Sequence, residues 1–101
     1  VGIAGLGAPR AVRLLDDPDA TVGKWIESTW RAADGRLYGW YHAEERIPGL
    51  AAPFVPHIGA LRSDDDGLSW RVLGETLRAP PDQIDTAAGN GFMAGGYGDF
   101  S

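Results

Sequence analysis

The sequence predicts an all-β fold, an antiparallel four-stranded meander set in the middle of a 101-residue chain. Three observations predict it. Fifteen Gly and seven Pro interrupt the chain, a density that disfavours a helical bundle and favours short strands joined by turns. Four Trp, three Tyr and three Phe supply residue types that suit strands. Two tight-turn signals, Asp34-Gly35 and the run Ser63-Asp64-Asp65-Asp66-Gly67, each separate two runs of β-forming residues.

The elements follow in order. Residues 12–15 read as a short strand, ended by the turn-forming Asp16-Asp17-Pro18-Asp19. Residues 25–31 form the first strand of the meander, and residues 36–42 return after the Asp-Gly turn. Strand alternation puts Tyr38, Trp40 and His42 on one face and Leu37, Gly39 and Tyr41 on the other. Residues 44–56 hold three Pro and one Gly, which predicts a loop, too Pro-rich for a helix or a central strand. Residues 57–62 and 69–73 form the third and fourth strands around the polar turn. Residues 79–98 read as a second long loop with a Gly-rich end. Residues 99–101 begin a further strand. In such a meander both tight turns lie at one end and both long connections at the other, where a binding site can form. A meander of about 50 residues has the size of one propeller blade.

Charge and composition exclude several function classes. The formal net charge is −5, which repels phosphate backbones and anionic membrane surfaces, so neither nucleic acid nor membrane is an expected partner. With no Cys there is neither a disulfide framework nor a thiolate metal site. No apolar run reaches the roughly 20 residues needed to span a bilayer. The apolar start lacks the basic n-region of a signal peptide. Both ends read as cuts in a longer protein. Gly2, Gly5 and Gly7 are spaced in the wrong order for a dinucleotide fingerprint. Neither Ser28 nor Ser63 sits in a nucleophile elbow. Two His without matching acids make zinc improbable, and no metal or other cofactor is expected.

Ser63-Asp64-Asp65-Asp66-Gly67-Leu68-Ser69-Trp70 fits the pattern S-x-D-x-G-x-x-W and resembles the Asp-box of sialidases and related β-propellers. The chemistry suits the spacing. The Asp65 carboxylate can accept N–H groups within the turn, Gly67 permits a positive φ, and Trp70 packs back across the hairpin. Residues 25–28, 34–44 and 58–63 look like a blade of the propeller-type glycoside hydrolases. Residues 96–101 (GYGDFS) resemble the innermost strand of the next blade. The resemblance covers residues 24–101. It implies an organisation of lead-in or preceding blade (1–22), one Asp-box blade (23–78), and ligand-face loop with the start of another blade (79–101). It further implies carbohydrate and the remaining blades of the parent chain as partners, and secretion or periplasmic export. The Asp-box residues Ser63, Asp65, Gly67 and Trp70 are structural in this reading. The Asp64–Asp66 run lacks the ligand spacing of a calcium loop.

Glycoside hydrolysis needs two carboxyl groups across the scissile bond. Asp99 opens an innermost strand after the Gly-rich loop and is the first candidate, with a loop-capping carboxylate as its other reading. Glu44 ends the second strand two residues after His42, on the same face, so the pair can share a hydrogen bond. Glu27 lies within the innermost strand, where a carboxylate must face the channel or bear the cost of burial. Tyr38 and Trp40 are candidates for a sugar-stacking platform, against core packing as the alternative. His57 reads as structural. The expectation is a fragment of a glycoside hydrolase, inactive in isolation because a propeller site is assembled from several blades. The alternative is a non-catalytic Asp-box propeller that binds sugar or protein. A self-contained β-domain stabilised by dimerisation is a third reading.

Overall fold

The computed structural model describes residues 7–98. The chain is all-β. Five strands, β1 (Arg13–Leu15), β2 (Lys24–Arg31), β3 (Leu37–Arg46), β4 (Phe54–Ser63) and β5 (Ser69–Leu77), form one mixed sheet in the order β1-β5-β4-β3-β2. The only helical element among the described residues is a single 3-10 turn, Pro81–Gln83. Strands β2 to β5 pair antiparallel with their chain neighbours, whereas β1 pairs parallel to β5 through Arg13–Ser69, Leu14–Trp70 and Leu15–Arg71. The strand start expected at residues 99–101 lies outside the described residues.

The short strand expected at residues 12–15 forms as β1 and joins the expected four-stranded arrangement as a fifth strand. It covers part of the β5 edge, whose backbone groups would otherwise be unpaired. Because β1 and β2 occupy opposite edges, residues 16–23 must cross one face of the sheet. They are fastened there at both ends. Asp16 pairs with Arg71, and Lys24 pairs with Asp17 at 3.0 Å while donating to the carbonyls of Asp19 and Val22.

That crossed face carries the main core. Tyr41, Ala43, Leu61, Trp70 and Val72 are buried together, with Val22, Ile26 and Leu37 packed against them. Gly59, opposite Tyr41 in the register, leaves room for the tyrosine ring, and a Cβ there would collide with it. A second cluster, Ala52, Val55 and Ala94, joins the two long connections at the other end. Ile47, Leu50, Ile84 and Ala88 pack around it.

The expected loop at 44–56 is shorter in the structure. Strand β3 continues to Arg46 and β4 begins at Phe54, leaving residues 47–53, closed by Ile47 N–H donating to the Pro53 carbonyl at 2.7 Å. Pro56 is tolerated inside β4 because of the direction its nitrogen faces. Phe54 N–H donates away from β3, to Phe92, and a residue two positions on points the same way. The N–H that Pro56 lacks is therefore not needed for pairing with β3. Strand β5 also runs further than expected, to Leu77. Its register with β4 shifts around Leu73, and Gly74 takes a φ of +125° there.

Candidate functional site

The two tight turns lie side by side at one end of the sheet. Arg31 meets Asp66 at 2.9 Å, and Arg36 meets Asp64 at 3.4 Å. In the first turn Gly35 has φ +90°, and Arg36 N–H donates to the Asp34 carboxylate. In the second, Asp66 and Gly67 take φ +57° and +86°. Here Asp65 is the hub. Ser63 Oγ donates to its Oδ1 at 2.9 Å, Ser69 N–H to the same oxygen at 2.9 Å, and Ser69 Oγ to Oδ2 at 2.6 Å. Gly67 N–H donates to Ser63 Oγ at 2.8 Å, and the Trp70 indole N–H donates to the Gly67 carbonyl at 3.1 Å. The Ser69 hydroxyl and backbone N–H hold the Asp65 carboxyl below the usual carboxylate range. The Ser63, Asp65 and Ser69 groups are directed inward, to the turn itself, while Asp64 and Asp66 reach the arginines of the neighbouring hairpin.

The opposite end gathers different residues. Strand β3 places His42 and Glu44 on one face, with His42 Nε2 and Glu44 Oε1 3.4 Å apart. His42 is 7% exposed, and Glu44 is half-buried. Opposite His42 in the register stands Trp25 of β2, its ring at 5.8 Å and 77° to the imidazole. The Gly-rich run then docks onto β4. Tyr97 N–H donates to the Pro56 carbonyl at 3.0 Å, and Gly96, with φ +109°, lies so near that a Cβ would stand 2.6 Å from that oxygen. At Gly98 a Cβ would come within 3.3 Å of His42 Cε1, so the chain passes directly against the imidazole. Asp99, the next residue, lies outside the described residues.

The remaining candidates are more scattered. Glu27 is exposed on the edge strand, at a bulge where the β2–β3 register shifts between Ile26 and Ser28. No hydrogen bond or ion pair joins it to Glu44 or His42 among the described residues. Trp40 and Tyr38 are half-buried on the same face as His42. Tyr38 stands four positions away, about 13 Å along the strand, and packs beside Trp30 at the tight-turn end with ring centroids 6.0 Å apart.

Two features have no counterpart among the sequence expectations. One is Trp25 beside His42. The other is a charged cluster over the crossed face. Arg78 donates to Glu75 at 2.6 and 2.7 Å and to Glu45 at 2.5 Å, and its guanidinium stands 3.4 Å from His57 Nδ1. A cleft of about 140 Å³ opens between this cluster, Tyr41 and the crossing residues Asp17 and Pro18. Burial pushes the His57 imidazole below its ordinary range and the Tyr41 phenol above its own. The Arg78 hydrogen bonds hold Glu75 below the carboxylate range. These charges are satisfied by one another, so the cluster ties β3, β4 and the end of β5 together. The alternation Tyr41, Glu45 and His57, Glu75 was the available signal, but the spacing between them spans three strands.

Among the described residues no group of three or more His, Asp or Glu is arranged to hold a metal ion, and no helix is long and apolar enough to cross a membrane. In comparisons with known proteins, no family model, no curated protein and no solved structure matches this chain.

Proposed function

We propose that the chain is one blade, with the start of a second, of an Asp-box β-propeller whose parent acts on carbohydrate by glycoside hydrolysis. The observation that carries this reading is the turn at residues 63–70, where all four motif residues do what the motif requires. Ser63 and Asp65 hydrogen-bond within the turn, Gly67 supplies the positive φ, and Trp70 closes over it. The sheet itself adds support. One face holds the core cluster, while the other carries Tyr38, Trp40 and Ile58, with Trp30 58% exposed. A single layer with apolar residues on both faces calls for further layers, and stacked blades supply them.

In this reading Glu44, oriented by His42, is one carboxyl of the hydrolytic pair. Asp99 is the other and Glu27 a third acid on the channel strand. One carboxyl donates a proton to the leaving oxygen and the other acts as nucleophile or activates water. The test uses the complete gene product with a panel of aryl glycosides. Turnover is expected, with loss on Asp99→Asn or Glu44→Gln while folding is retained, and no turnover from the 101-residue chain alone. Undiminished turnover in both variants overturns the assignment. The second reading is a non-catalytic propeller that binds sugar or protein. It is favoured by the engagement of Asp17, Glu45, Asp65 and Glu75 in pairs internal to the fold, and binding without turnover would select it.

A further inference from the structure

Beside Glu44 the surface opens into a pocket of about 370 Å³ whose lining includes Asp19, Thr21, Gly23, Trp25, Glu44 and Arg46. Its size falls within the range of small-molecule sites, which are built from apolar or aromatic walls and a few placed polar groups. The wall is the indole of Trp25. The bulge at Glu27 puts it there. Beyond the bulge Ser28 pairs with Trp40, but before it Trp25 pairs with His42 and Ile26 with Tyr41. Without the extra residue Trp25 would stand opposite Ala43 and turn to the crossed face. Gly23 sets the tilt of the ring, because a Cβ at that position would stand 2.9 Å from the indole Cη2.

The polar groups around the indole are of both signs. Glu44 approaches His42, Arg46 brings a guanidinium, and the Thr21 hydroxyl donates to Asp19 at 2.6 Å. The lining holds three carboxylates, Asp19, Glu44 and Glu45, against the one guanidinium of Arg46, but Glu45 is paired with Arg78 and Asp19 accepts from the Thr21 hydroxyl, so Glu44 and Arg46 remain as acceptor and donor next to a flat apolar surface. The ligand it suits is neutral, rich in hydroxyls and apolar on one side, which describes a pyranose ring. We infer that Trp25 is the stacking wall of a pyranose subsite, with Glu44 receiving the sugar hydroxyls. This inference rests on the carbohydrate reading above and assigns the platform to Trp25 in place of Tyr38 and Trp40.

The test is 1H–15N NMR of the complete gene product titrated with methyl pyranosides of the gluco, galacto, manno and xylo series. At least one is expected to shift the Trp25 indole and Glu44 amide resonances. Trp25→Ala should weaken that sugar by about tenfold, the scale of one aromatic contact, and Trp25→Phe should recover part of the loss. Gly23→Ala, which displaces the ring and keeps it, should weaken binding by less than Trp25→Ala does. Spectral dispersion reports folding in each variant. Sugar binding that survives Trp25→Ala unchanged overturns the inference and leaves the carbohydrate reading standing. If none of the pyranosides shifts any resonance of the wild-type complete gene product, the subsite and the carbohydrate reading of this end fall together.

Discussion

The two ends of the sheet use similar residues in opposite ways. At the tight-turn end, Asp65 spends its carboxylate on Ser63 and Ser69 of its own hairpin. At the long-connection end, Glu44 shares one oxygen with His42 and also lines an open pocket. A carboxylate whose acceptors are filled by local backbone and hydroxyl donors fixes a turn. One held by a single neighbour beside a pocket keeps capacity for a ligand. The contrast separates stability from chemistry more clearly than residue type does.

Changes at the closed end should cost the most stability. Trp70→Ala removes a buried indole and its hydrogen bond to Gly67, and should lower the unfolding free energy by about 3–5 kcal/mol, measured as a shift of the urea midpoint. Ser63→Ala leaves the Gly67 N–H without its acceptor and takes one of two donors from Asp65 Oδ1, for a loss of about 1–3 kcal/mol. A near-silent Ser63→Ala would mean that water replaces the hydroxyl and that the turn is less closed than its distances indicate.

Acid should separate the regions without mutation. Folded His57 binds its proton less readily than the unfolded chain, whose imidazole titrates near the ordinary 6.5. The unfolded state therefore takes up protons first, and stability is full above that value and lost as pH falls through it toward the lower folded value. Asp65 and Glu75 are also lowered, from ordinary values of 3.8 and 4.5, so their contributions are lost only in stronger acid. The urea midpoint should fall in two steps, and His57→Gln should flatten the first alone. A first step that survives the substitution assigns it to another group. The smallest effect belongs to Glu44→Gln, which should change stability by no more than about 0.5 kcal/mol. A loss as large as that of Ser63→Ala would erase the distinction between the ends.

Much of this was legible in the sequence because turns carry local signals. Asp34-Gly35 and Ser63–Gly67 located both hairpins, and alternation sorted Tyr38, Trp40 and His42 from Gly39 and Tyr41. The pairing of His42 with Glu44 followed from a spacing of two. What escaped was non-local or irregular. The partner of β1 depends on which edge is open after the other strands have formed. The bulge at Glu27 shifts the register by one and sends Trp25 and Ile26 to faces that simple counting from the Asp-Gly turn reverses. Pro56 suggested a loop because composition does not reveal which way a backbone nitrogen points. Arg78 meets Glu45 only because β4 lies between their strands.

The bulge has one more consequence, for solubility. Strand β2 lies at the edge of the sheet, eight residues long, with two Trp, an Ile and a Thr. A straight strand of that composition is a template for pairing with another chain, the first step toward aggregation. Glu27 interrupts the ladder near its middle with an unpaired residue and a carboxylate, and the exposed Arg31 places a charge at the strand's end. The irregularity that turns Trp25 toward the pocket thus also guards the molecule against polymerising with its own copies along that edge.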